Sequence, residues 1–240
     1  MSDLMLKKPD YLANVNPMDN VCPIEMEDVK VPILVLAQVA SKALQESDPG
    51  YIIGLKAGQF YNSVTREIYD KSLKLQFIHY FKTYQVFEGK QNGEWKEALS
   101  EDEFKRLRNV QFDKINGFLS PDKPDSYIKE NWRFVVSVIG DDSFDFVFMN
   151  VKPGGIGEAK FWVNQMFAKF QKGELVNAII WEVSSYMKES KTSNASSFQI
   201  EGSKIRAVGY VDQSQYEKAV KIKDDIKMSQ ANHIVTGEEY

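Results

Sequence analysis

The run LKLQFIHYFKTYQVF, Leu73 to Phe87, contains neither Gly nor Pro and is dense in aromatic and branched side chains, the composition of a single long β-strand. Successive side chains on a strand point to opposite faces, so the run divides by parity. Odd positions collect Leu73, Leu75, Phe77, His79 and Phe81, a wall suited to a core. Even positions collect Lys74, Gln76, Ile78, Tyr80, Lys82 and Tyr84, in which lysine is interleaved with tyrosine.

The neighbouring sequence predicts more strands of the same kind. VPILVLAQ (Val31 to Gln38) is a short branched run. FYNSVTREIY (Phe60 to Tyr69) reads as extended chain turning near Asn62-Ser63, and its closeness to the long run favours antiparallel pairing of the two. Asn92-Gly93 marks a turn before a short strand around Trp95, and Ser100 with Glu103 has the spacing of a capping box before a short helix facing inward through Phe104 and Leu107. GFLSPDKPDSY reads as a surface loop. WRFVVSVIG and FDFVFMNVK, separated by Gly140-Asp141-Asp142, form the strongest hairpin signal. GEAKFWVNQMFAKFQKG repeats Ala159, Trp162, Met166, Phe167 and Phe170 at helical spacing and ends at Gly173. Three further strands, within ELVNAIIWEVSSYMKES, SSFQIE and KIRAVGYVD, precede a polar helix whose apolar stripe is Tyr216, Ala219, Val220 and Ile226. Strands joined mainly by hairpins predict a mainly β fold with a few α-helices, a small antiparallel barrel or sandwich rather than a parallel βαβ sheet.

With 240 residues, one well-buried domain is the expectation, and 43% hydrophobic content is enough to oppose the entropy of ordering it. The lone Cys22 precludes an internal disulfide and a thiolate metal cage, which fits a reducing cytoplasm. No segment has the apolar length of a signal peptide core or a membrane span, so a soluble cytoplasmic protein is expected, with no membrane partner.

Catalytic groupings are sparse. His79 and His233 lie far apart, Cys22 has no evident partner, and the acid pairs Asp141-Asp142, Asp224-Asp225 and Glu238-Glu239 fall on a turn, a polar helix and the terminus. KPGGIGEAK places glycines before a helix but lacks the GxxxxGK[ST] pattern of a phosphate loop, and a turn with a helix start explains it more simply. The expectation is therefore a protein that is not an enzyme and needs no cofactor and no metal.

A net charge of −4 disfavours coating of duplex DNA by bulk attraction. It allows a local groove, because Leu55 to Lys90 carries six cations against three anions. Interleaved Lys74, Tyr80, Lys82 and Tyr84 suit single-stranded nucleic acid, whose phosphates attract cations and whose bases stack on rings for roughly 1–3 kcal/mol each. Phe60, Tyr61, Arg66, Trp132, Arg133, Trp181 and Arg206 extend the candidate set, since cation and ring recur on several strands. The same tyrosines could instead pack beneath a helix or loop with lysine stems across them.

The order of VPILVLAQ, then GQFYNSVTREIY, then the long aromatic strand resembles a group of bacteriophage proteins carrying a GxFYNSxTGExY-like stretch. GIGEAKFWVNQM, Trp181-Glu182-Val183-Ser184 and Ala207-Val208-Gly209 are similar downstream. The resemblance implies a single-stranded DNA-binding protein of phage replication and recombination on an OB-like barrel. Residues 1–28 mix Pro, Asn, Asp and Glu without periodicity and read as an extended or flexible arm; the resemblance implies 29–228 as one OB-like domain with helical insertions and a C-terminal helix, followed by 229–240 as an acidic tail that could recruit replication or recombination proteins. Arg66 stands where a turn glycine is common in the pattern. The alternative is a phage structural or host-inhibiting interaction module that docks a partner chain on the aromatic strand face.

Overall fold

The computed structural model describes residues 30–88, 94–99, 101–106, 111–113, 117–119, 126–151, 153–189 and 196–236. The chain divides into two units, Met1–Val31 and Pro32–Tyr240, and the elements below belong to the second. The expected arm, the turn at Asn92-Gly93, the cap at Ser100 and the final GEEY lie outside the described residues.

β1 (Leu34–Leu36), β2 (Phe60–Asn62) and β3 (Ile68–Tyr69) form a small antiparallel sheet in that order. Its turn explains the FYNS stretch. Asn62 is fully buried and its Oδ1 accepts from the backbone N–H of Val64 at 2.9 Å and of Thr65 at 3.3 Å, closing an Asx-type turn. Ser63 pins β1, with its Oγ accepting from Ile33 N–H at 3.0 Å. Arg66 takes φ 62°, so the left-handed position remains although the residue is not glycine.

Among the described residues the large sheet has nine strands: β4 (Ser72–Glu88), β5 (Glu94–Leu99), β6 (Gln111–Asp113), β7 (Gly117–Leu119), β8 (Ser126–Val138), β9 (Val147–Val151), β10 (Ile179–Glu189), β11 (Ser196–Ile200) and β12 (Arg206–Tyr210). β4 is its spine. At 17 residues it spans roughly 56 Å, and three antiparallel partners share that length. β8 runs along one edge from Leu75 to Glu88, while on the other β10 pairs over Ser72 to Gln76 and β5 over Tyr84 to Glu88. β4 does not pair with the Phe60–Tyr69 hairpin as expected, and β7 occupies part of the segment read as a loop. The β8–β9 hairpin forms as its sequence predicts.

The fold is thus mainly β and antiparallel, with helices α1 (Glu101–Arg106), α2 (Ile156–Gln171) and α3 (Gln213–Thr236). The barrel expectation is corrected: among the described residues both sheets are open, with no ladder joining first strand to last. Among the described residues β6 pairs only with β7 and β11 only with β10, so the main sheet keeps free edges instead of closing on itself.

Two helices cover opposite faces of the large sheet. α2 drives Ala159, Trp162 and Met166 into the main core, where Trp162 stacks on Phe134 at 5.0 Å and meets Trp181 edge-on at 6.4 Å. The helix ends at Gly173, φ 79°, whose N–H donates to the Phe170 carbonyl at 2.9 Å. Its start is anchored through Glu158, which accepts from the Tyr186 hydroxyl at 2.9 Å and from Gly202 N–H at 3.2 Å. Gly202 is required there, since a Cβ would lie 2.3 Å from the Glu158 carbonyl oxygen. Phe167 and Phe170, which share the helical spacing of Ala159, Trp162 and Met166, are exposed. On the other face, α3 lays Ala219, Ile222 and Ile226 against Ile78, Val135, Phe81 and Phe148. α3 continues to Thr236, so helix occupies most of the segment expected as a tail.

Candidate nucleic-acid interface

One extra residue in β4 decides which side chains share a face. Phe77 pairs with Val136 and His79 with Val135, leaving Ile78 as a bulge in the ladder. Leu73, Leu75 and Phe77 face α2 before the bulge, and Tyr80 faces it afterwards. The single parity rule for Leu73 to Phe87 therefore fails after Phe77. His79 and Phe81, assigned to the core wall, emerge on the opposite face beside α3. Asn177 holds the break in place: its Nδ2 donates to the carbonyls of Phe77 at 3.0 Å and Ile78 at 2.6 Å, where β4 has passed the end of its pairing with β10.

The expected Lys/Tyr face is thereby turned into packing. Tyr84 is 3% exposed and its ring lies 3.9 Å from Phe104, stacked. Tyr80 is half-buried between Trp132 at 5.6 Å and Phe134 at 5.7 Å. Trp132 is buried, and its Nε1 donates to Glu130 at 2.6 Å. Lys82 lies 5.1 Å over the Trp132 ring and pairs with Glu130 at 3.6 Å. Phe60 and Trp181 are core residues with at most 1% exposure, so neither offers a base a face to stack on. Tyr61 is half-buried in the small sheet, where burial pushes its phenol up. Arg66 is exposed at the β2–β3 turn. Lys74 is exposed and stands opposite Glu182, which also accepts from Arg206 Nε at 2.6 Å. Of the candidate residues, only Arg133 joins cation to ring on the face that the bulge exposes.

That face carries a different set. Arg133 lies 5.8 Å from the Phe81 ring and 5.4 Å from the Phe148 ring, and its Nε donates to Asn150 Oδ1 at 2.8 Å. Burial lowers its pKa, but a guanidinium stays charged at any physiological pH. Further along β8, Lys129 sits 4.3 Å over Phe87 and 5.2 Å over Tyr127, two rings stacked at 5.4 Å. Between the cations, Asn131 Nδ2 donates to Gln85 Oε1 at 3.2 Å. Except for buried Tyr127 and exposed Asn150, these side chains are half-exposed. At the α3 end, burial and then Lys227 and Lys223 lower the pKa of His79, leaving it neutral at pH 7. Lys129, Gln85, Asn131 and Phe148 were not singled out from sequence. The alternation Tyr127, Lys129, Asn131, Arg133 carries the signal for this face, but most of it precedes the run WRFVVSVIG, in a strand that begins at Ser126.

Other places suit an anion poorly. A cavity of about 100 Å³ between β4, β8 and α3 is lined by Asp141, Asp142 and Asp145, and is smaller than the roughly 300–1,000 Å³ of most ligand sites. Asp141 also accepts from the Tyr69 hydroxyl. Among the described residues no three His, Cys, Asp or Glu converge as metal ligands. No helix among them is long and apolar enough to cross a membrane.

Fold and face together define an open antiparallel β protein with helices on both sides of its main sheet and cations held against rings on one half-exposed stretch. The chain belongs to the family described as Pam3 phage gp34-like protein, which matches residues 9–232, and it is thus a bacteriophage protein. No curated protein and no solved structure matched the chain.

Proposed function

We propose that the protein binds single-stranded DNA with little sequence preference, in phage DNA replication or recombination in the host cytoplasm, along the β4–β8 face that carries Arg133 and Lys129. The observation that carries this reading is the pair of cation–ring groupings, Arg133 with Phe81 and Phe148, and Lys129 with Phe87 and Tyr127. A single strand offers phosphates to such cations and flat bases to such rings, and every base has a stacking face. Cations already ordered against rings lose less freedom when they meet phosphate. The reading needs neither a catalytic residue nor a cofactor, and the acidic GEEY end is a candidate contact for replication or recombination proteins. Fluorescence anisotropy with labelled oligo-dT tests it: salt-sensitive binding that weakens in Arg133→Ala and Lys129→Ala supports the reading. Absence of binding at micromolar protein in low salt would sink it.

A second reading rests on α2, where Phe167 and Phe170, with Leu175 just beyond, are each more than half exposed. Such apolar surface suits a protein-interaction module of a phage structural or host-inhibiting protein. Phe167→Ser with Phe170→Ser separates the two: it abolishes partner capture under this reading and leaves oligo-dT affinity unchanged under the first.

A further inference from the structure

We infer that the Gln85–Asn131 amide pair hydrogen-bonds the pairing edge of one unpaired nucleobase, whichever base it is, between phosphate grips at Lys129 and Arg133. The inference rests on the single-strand reading above and adds what the face recognises. Lys129, Asn131 and Arg133 alternate on β8, so the amides lie about 7 Å along the strand from each cation. Their mutual bond, Asn131 Nδ2 to Gln85 Oε1 at 3.2 Å, holds the two side chains side by side. Among the described residues it leaves Gln85 Nε2 and Asn131 Oδ1 without a protein partner, both on half-exposed residues. The face therefore presents an adjacent donor and acceptor.

Each nucleobase carries neighbouring donor and acceptor groups on its pairing edge, in an order that differs between bases. Turning both amides over reverses the order on the protein and keeps a bond between them, since each amide has both a donor and an acceptor end. The pair thus accepts a base edge without selecting a base, consistent with sequence tolerance. It also discriminates against duplex, whose pairing edges are already engaged. Phosphate contact alone would give neither property.

The test compares oligo-dT with the same strand in which the bases are replaced by a nonpolar thymine isostere that keeps the ring and lacks the donors and acceptors. Wild-type protein should bind the isostere strand about tenfold more weakly, since each hydrogen bond contributes only modestly once displaced water is counted. Gln85→Ala with Asn131→Ala should erase that difference while keeping salt-sensitive binding. Equal wild-type affinity for both strands overturns the inference and leaves the single-strand reading standing. A difference that persists in the double variant assigns the effect to other groups and also overturns it. Failure to bind either strand at low salt overturns both.

Discussion

The side-chain amide of Asn177 donates to two successive carbonyls of β4, Phe77 at 3.0 Å and Ile78 at 2.6 Å. Asn177 lies in the turn Val176–Ala178 just before β10, where β4 continues past its β10 partner. The bond secures the bulge, and the bulge decides which of the later β4 side chains face α2 and which face α3.

Asn177→Leu should therefore cost about 1–3 kcal/mol, the range for leaving partly buried carbonyls unpaired. Urea unfolding followed by circular dichroism measures it. An unchanged midpoint would show that the bulge holds without the amide.

Tyr84 tests the reassignment of the even-numbered β4 positions. With its ring stacked 3.9 Å from Phe104, Tyr84→Ala should destabilise by about 3 kcal/mol, as truncation of a buried aromatic does. A surface tyrosine free to stack on bases would instead lose binding with little loss of stability.

Arg133→Ala and Lys129→Ala should each weaken oligo-dT binding and lower the slope of log affinity against log salt by about 0.7, one phosphate contact on a single strand. Lys74→Ala, whose neighbour across the ladder is Glu182, should leave the slope unchanged. The reverse ranking would return the site to the Lys74 end of the sheet.

Arg66 holds φ 62°, a conformation costing a non-glycine residue about 1–2 kcal/mol. Glycine removes that strain but loses more chain entropy on folding, so Arg66→Gly should range from neutral to about 1 kcal/mol stabilising. Arg66→Val should be clearly destabilising, because branching at Cβ worsens the same strain. Thermal melts of both variants suffice, and a destabilised glycine variant would refute this account of the turn.

Glu67 and Asp141 predict a pH effect of known sign. Burial, then the neighbouring Asp141, raises the Glu67 pKa, so its contribution to stability is greatest below its unfolded pKa and is lost as pH rises through the folded one. Burial also pushes Asp141 up, yet hydrogen bonds from Tyr69 and Ser143 outweigh it and hold the carboxyl low, so its contribution is lost in acid. Glu67→Gln should accordingly raise the melting temperature at pH 7 and not at pH 3. Equal gains at both pH values would place the effect elsewhere.

Elements whose causes are local could be read from the chain alone. The long β4 run, the β8–β9 hairpin and the end of α2 at Gly173 each follow from neighbours in the chain, because turn chemistry and side-chain periodicity act over a few residues. The buried stripe of α2 was legible as far as Met166, but Phe167 and Phe170 share its spacing and are exposed, since depth of burial depends on what the helix meets. The site depends on long-range packing. Strand parity carries across a whole strand, so the single bulge at Ile78, fixed by Asn177 from 99 positions away, exchanged the faces of every later residue of β4. It sent Tyr80 into the core and put Phe81 beside Arg133 and Phe148, a placement set by contacts between segments far apart in the chain.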